Sequence, residues 1–442
     1  MGMRAFGDSQ YAGEEPHYLL IAKAIDDRGS PDLAPEYRAR SYKSFYPYPL
    51  DPHGELTKGH LNEPHGVGFP LIVSGAYAIG GPKLVELEIA LLAAIAMALA
   101  YRLALRCAPD PWALGATLAV ALSAPALAYG TAVLPEMAAA PVLAGAALLA
   151  LHAAERARRR NTLGCFGLLA TLPWLGPQFI PAGIVIGWFA FRSVRRFARP
   201  ILALVGVEVA AFSLALYAGV NRGLYGGLTP LSAAEQGASG TLPSFPDGYL
   251  HRAYRLIALL IDRDYGLLRW APVLAIAIFG AVLVMREREQ GLARAIPALR
   301  REQDAAELCG LALAAQYLVA AFAAVTMFGF WFPGRHVVAA LPLAVPLVAI
   351  GLRHAPRVGA VLAAIGLAGS VWLYADVRFG SGGFVANRPD APFGPLNDLL
   401  PVFKQGSTFP FVVAAGIGAL LAALLATERR LWRRAVDYVR LR

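Results

Sequence analysis

Two adjacent glutamates ahead of a proline, in the run GEEPHYLLIAKAI at residues 13–25, are the first groups in this chain whose types and spacing suit catalysis. Glu14 and Glu15 stand at a helix start, followed by Tyr18, Leu19, Ile21, Ala22 and Ile25 in an amphipathic pattern suited to a membrane surface. Acids at that position gain from the helix dipole, and a carboxylate at a membrane–water boundary is equally what a general base requires. Glu136, in YGTAVLPEMAAAPVL, sits at the mouth between two apolar blocks, where an ionisable group faces a polar cavity by default. Arg335 and His336 lie in MFGFWFPGRHVVAALPLAVPL, where a loop re-enters an apolar block beside aromatic residues. Two readings fit them: a snorkelling Arg in an aromatic belt, and a guanidinium that binds a lipid phosphate.

Residues 1–66 are polar and carry further candidates: Asp8, His17, Arg38, Lys43, His53, Lys58, His60 and His65. The spacing of His53, His60 and His65 in a Gly/Pro-rich loop matches no strong ligand pattern, so no metal ligand is assigned. Glu86, Glu88 and Glu208 fall inside apolar blocks and read as structural. There is no G-x-x-x-x-G-K-[ST] or dinucleotide fingerprint, and no soluble domain large enough to hold a nucleotide. Cys107, Cys165 and Cys309 stand at the ends of apolar blocks, which excludes a disulfide framework and a thiolate zinc site.

The elements that must position these groups are membrane spans. Of 442 residues, 57% are hydrophobic and 16% charged, against roughly 25% charged in a soluble domain. Mean hydropathy is +0.51. The apolar residues sit in blocks close to the ~20 residues a helix needs to cross hydrocarbon, and backbone groups in lipid must bond within their own segment. Eleven spans are expected: 84–106, 111–130, 137–153, 162–176, 178–192, 200–220, 270–285, 307–328, 336–352, 357–375 and 409–427. The stretch 68–79 is too short to span and reads as re-entrant or interfacial. The net charge of +10 comes from Arg clusters between the blocks, not from a basic stripe with exposed aromatics, so it marks topology rather than nucleic acid. The short Arg-dense loops at 102–110, 154–161, 192–199, 286–306 and 353–357, with the tail 428–442, are expected to be cytoplasmic. Residues 1–83, 221–269 and 376–408 then form extracytoplasmic loops carrying short helices, around a bundle at 84–427. The odd span count leads us to expect a further helix ahead of the first loop.

The runs GEEPHYLLIAKAI, YKSFYPYPLDPHG, EPHGVGFPLIVSGAYAIGG, LPEM, LPWLGPQF, LIDRDYGLLRWAPV and FPGRHVVAALPL stand in the order seen in bacterial GT-C glycosyltransferases. The chain resembles the branch related to protein mannosyltransferases and the lipid A aminoarabinose transferase, over roughly residues 8–350. The resemblance implies an all-α GT-C-like bundle in the inner (plasma) membrane. It also implies transfer of a sugar from a polyprenyl-phosphate donor, with inversion, to a cell-envelope glycan, lipid or protein. In that family an Asp-Glu pair on the first outer loop supplies the base. The matching positions are Glu14 and Glu15, the first being Glu instead of Asp, with Asp8 as the alternative. The family's acid after its third helix matches Glu136. The phosphate-binding Arg matches Arg335, with Lys58 or Arg38 from the first loop beside it, and His17, His65 and His336 would line the substrate. No cofactor is required by this reading, and a divalent cation is compatible with it. A lipid-sugar flippase and an inactive protein of the same fold are the competing readings. No inverted repeat of the transporter kind is visible, and the polar groups gather at one face.

Overall fold

The computed structural model describes all residues except 1–2, 55, 58, 198, 236–246, 290–296, 381, 386–398, 404–407 and 441–442. The chain opens with α1 (Glu15–Arg28) and α2 (Ala34–Ala39), then a two-residue hairpin pairing β1 (Leu56–Thr57) antiparallel with β2 (His60–Leu61). The bundle follows: α3 (Gly68–Ala104), α4 (Trp112–Ala121), α5 (Ala124–Tyr129), α6 (Glu136–Glu155), α7 (Arg159–Leu175), α8 (Ile180–Arg196) and α9 (Pro200–Tyr225). Short helices α10 (Ser232–Glu235), α11 (Asp247–Leu250), α12 (Arg255–Ile261) and α13 (Leu267–Trp270) cross one end. The bundle then continues through α14 (Leu274–Glu289), α15 (Pro297–Leu318), α16 (Arg335–Val338), α17 (Leu341–His354), α18 (Pro356–Phe379) and α19 (Phe409–Arg440).

Six of these helices are long and apolar enough to cross a membrane, and α4, α14 and α17 are shorter apolar ones. This is a polytopic all-α membrane protein. Each expected span has a helical counterpart, but several are broken where the chain withdraws a backbone donor. The 111–130 segment divides at Ser123, which is extended (ψ 148°) ahead of Pro125, so it becomes α4 and α5. The 336–352 segment divides into α16 and α17 ahead of Pro342. The 68–79 stretch is helical and joins the next span as α3 across a kink at Gly81 (φ 63°, ψ −158°) and Pro82. Only glycine reaches that backbone region without strain. The basic tail from 428 continues α19 helically to Arg440.

The layers follow from burial. Every residue from Leu341 to Leu352 of α17 is buried, as in a helix surrounded by others. α14 approaches it through glycines: a Cβ on Gly280 would stand 2.1 Å from the Leu347 carbonyl oxygen, and one on Gly351 would stand 2.5 Å from that of Ile276. Small residues at such crossings let backbones meet in lipid, where packing rather than hydrophobicity drives association. α9 and α19 lie at the rim, with Ile201, Phe212, Val412 and Leu420 largely exposed.

α1 departs from the surface-lying helix expected for it, since Glu15 to Ala22 are all buried. Tyr18, Leu19 and Ala22 join the main core, whereas Leu20, Ile21 and Ala24 pack with Leu33, Tyr42, Leu50 and Leu61 of the first loop. The helix is sandwiched between the bundle and its own loop.

Candidate functional site

The acids of the GEEP run diverge as soon as α1 begins. Glu15 is 7% exposed, and backbone N–H groups hold both its oxygens: Ala12 donates to Oε2 (2.9 Å) and Val133 to Oε1 (2.8 Å). Its carboxyl therefore fastens the chain ahead of α1 to the loop between α5 and α6. Burial raises the Glu15 carboxyl to about 7, against the pull of those two N–H donors. Nearby, the Tyr11 hydroxyl donates to buried Glu86 (2.8 Å).

Glu14 keeps a side chain 28% exposed and accepts a hydrogen bond at Oε2 from Arg335 Nη2 (2.5 Å). Burial pushes its carboxyl up, but the guanidinium of Arg335 outweighs this and holds it well below the usual range, with His65 adding to the effect. Glu136, the first residue of α6, accepts from Arg335 Nε at Oε1 (3.0 Å). Its Oε2 is buried and has no partner among the described residues. Arg335 thus bridges two carboxylates drawn from segments far apart in sequence. It opens α16 behind Gly334, whose φ of 90° favours glycine, and its guanidinium lies 4.8 Å from the centre of the Trp331 ring. The Tyr129 hydroxyl donates to the Phe332 carbonyl and ties this loop to α5. Glu14, Glu15, Tyr129, Trp331 and Arg335 line a cavity of about 40 Å³.

A second polar cluster adjoins the first. His17 Nδ1 lies 2.8 Å from Glu63 Oε2, and Tyr37 donates to Glu63 Oε1 (2.5 Å). His53 stacks on His17 with ring centres 4.0 Å apart, and its Nδ1 lies 3.0 Å from His65 Nε2. The other nitrogen of His65, Nδ1, is 3.8 Å from Glu14 Oε2. Glu63 is pushed up by burial, yet its bond to His17 prevails and holds it at about 2; burial lowers His65 to about 4.

Below these clusters a largely apolar groove of about 580 Å³ runs along the bundle, lined among others by Leu267, Ala277, Met285, Ala314, Val337 and Leu347. Val337, the third residue of α16, lines this groove, whereas Arg335, the first, lines the small cavity instead.

The structure brings together Glu14, Glu15, Glu136 and Arg335, with His17 and His65 alongside. It does not bring all the candidates there. Asp8 is exposed, with its backbone N–H donating to the Tyr48 hydroxyl (3.1 Å). Arg38 is exposed near the end of α2, and Lys58 lies outside the described residues. His336 neighbours Arg335 but places Nε2 against the Thr326 carbonyl (3.2 Å). Sequence reasoning missed Glu63, the hub of the histidine cluster, although it opens the quoted EPHGVG run. It also missed Arg252 and Arg255, which donate to carbonyls of Phe322, Ala324 and Val325 where α15 gives out, and Asp262, whose carboxylate accepts the N–H groups of Asp264, Tyr265 and Phe403. Asp262 stands inside the quoted LIDRDYGLLRWAPV run, but the roles of all three were hidden because their partners are backbone groups.

No family model matches this sequence, and no curated protein matches it. Among solved structures the chain is similar to ArnT from Cupriavidus metallidurans in the apo state, at 14% identity and a TM-score of 0.50, over 97% of this chain and 69% of that one. The same protein bound to undecaprenyl phosphate matches at 15% identity with a TM-score of 0.45, over 96% and 69%. The likeness to the apo structure shows the fold, an all-α membrane bundle like that of this ArnT.

Proposed function

We propose that this protein is a membrane glycosyltransferase that takes a sugar from a polyprenyl-phosphate carrier and passes it, with inversion, to a hydroxyl of a cell-envelope glycan, lipid or protein. The observation that carries the reading is the Glu14–Arg335–Glu136 bridge, built on a short helix that also lines a 580 Å³ apolar groove through Val337. A prenyl chain suits the groove, and a phosphate suits the Arg335 guanidinium on the same short helix. Arginine has five N–H donors, and the two carboxylates engage Nε and Nη2, which leaves others for phosphate oxygens. The fold and the order of the sequence motifs support the same reading.

In the reaction, the acceptor oxygen bonds to the anomeric carbon while the bond from that carbon to the phosphate oxygen breaks. The acceptor proton passes to Glu14, and polyprenyl phosphate leaves as a monoester whose added charge Arg335 stabilises. Glu14 is ionised over the neutral range, so it is in the proton-accepting form. A phosphate at Arg335 competes for that charge and raises the proton affinity of Glu14, so donor binding itself activates the base. Glu136 holds Arg335 from the other side.

We place this end of the bundle outside the inner membrane, because the Arg-dense loops stand opposite. Arg38→Cys and Arg300→Cys, both at exposed positions, should label from opposite sides of intact spheroplasts; labelling from one side would reverse that orientation. The function itself is tested by native mass spectrometry of the purified protein and by transfer assays in membranes. We expect bound polyprenyl-phosphate species, depleted in Arg335→Lys, and transfer reduced roughly 10²–10⁴-fold in Glu14→Gln, the usual reach of general-base catalysis. No bound prenyl phosphate together with unchanged transfer in Glu14→Gln would overturn the proposal.

A further inference from the structure

We infer that His17, His53 and His65 form a binding site for a divalent transition metal of the zinc class. They come from three separate stretches of the first loop region, the start of α1 and the turns around residues 53 and 65. One ring nitrogen from each lies within 4.8 Å of the other two. His53 Nδ1 and His65 Nε2 are 3.0 Å apart. Two zinc–nitrogen bonds of about 2.0–2.1 Å at the tetrahedral angle separate their nitrogens by roughly 3.3 Å. That pair is within a few tenths of an ångström of ligand geometry, and the third nitrogen, within 4.8 Å of the other two, must close by up to about 1.5 Å. His53 is exposed and can move to do so.

What surrounds the rings is what metal-bound histidines need. A ligating imidazole usually gives its other N–H to a carboxylate, which fixes the tautomer and the ring plane. His17 Nδ1 does this with Glu63 Oε2 at 2.8 Å, leaving Nε2 as its free lone pair. Glu63 is itself held by the Tyr37 hydroxyl and by the backbone N–H of His53 (3.3 Å). His65 turns Nδ1 toward Glu14 at 3.8 Å while Nε2 meets His53. Three imidazoles, with no further ligand grouped with them among the described residues, form the donor set of an open zinc site. His60, which the sequence grouped with His53 and His65, is bound instead to Asp32 (2.9 Å) and stands outside the set.

The site fastens α1 to the two turns and stands one imidazole away from Glu14. It does not depend on the glycosyltransferase reading, since its occupancy is measured without turnover. The untagged protein, purified in detergent and stripped with chelator, is titrated with Zn²⁺ and Co²⁺ and its metal content read by mass spectrometry. One metal per chain is expected, with visible Co²⁺ bands of the intensity that four-coordinate nitrogen sites give. His53→Ala, at an exposed position, should abolish stoichiometric binding, and Glu63→Gln should weaken it by roughly 10–100-fold. His60→Ala should bind as the parent does. Absence of stoichiometric Zn²⁺ and Co²⁺ binding by the parent protein would overturn the proposal. Binding that survives in a His53→Ala/His65→Ala double variant would overturn it as well.

Discussion

Glu14 and Glu15 are neighbours with opposite electrostatics. Arg335 holds Glu14 ionised, whereas Glu15 is raised to about 7 by burial and clamped by two backbone amides. Glu14→Gln should therefore cut turnover roughly 10²–10⁴-fold, with Glu136 still paired to Arg335. Glu15→Gln turns one acceptor into an NH₂ facing a buried N–H, and should lower thermal stability in detergent by an amount typical of an unsatisfied group, about 1–3 kcal/mol. The pH dependence separates them further. A carboxyl raised from 4.5 to about 7 contributes stability that is complete below pH 4.5 and lost as pH rises through 7. Glu14 acts in the reverse sense, its contribution being present above pH 4.5 and lost on acidification. Melting curves between pH 4.5 and 8 should accordingly lose their Glu15-dependent decline in Glu15→Gln. The sequence marked the pair as candidates but not how the two acids differ, because their partners, Val133 and Arg335, lie 118 and 321 residues away.

At the scale of helices the sequence was more legible. Apolar block length and the demand for internal backbone bonds located every helix of the bundle, since both are properties of a segment in isolation. The breaks at Ser123 and ahead of Pro342, and the kink at Gly81, were hidden inside continuous apolar runs. The burial of α1 was also hidden, because an amphipathic helix looks the same against lipid and against a neighbouring loop. The α14–α17 crossing depends on glycines that composition counts but does not pair. Gly280→Ala should force these helices apart and cost about 1–3 kcal/mol, as overpacking does. A Cβ on Gly219 in α9 would meet nothing within 4 Å, so Gly219→Ala should leave the melting temperature level or slightly higher. Equal losses in the two variants would mean that the crossing is looser than described.

Across the whole molecule, the groove and the carboxylate–arginine bridge meet at α16, so filling one should be felt at the other. Ala314 lines the groove at an exposed position. Ala314→Trp should raise the KM for a prenyl-phosphate donor while leaving kcat for a short-chain donor near that of the parent; unchanged KM for long chains would place the lipid tail elsewhere. The clamp at Glu15 also has a consequence for solvent exchange. The amides of Ala12 and Val133 lie outside any helix or strand, yet a single carboxylate holds both. The Ala12 bond spans three residues within one turn, whereas the Val133 bond joins segments 118 residues apart, so deuterium should enter at Val133 when the first loop lifts away from the second. Exchange at Val133 should be slow and should quicken in Glu15→Gln, so this amide reports directly on how often the two loops part.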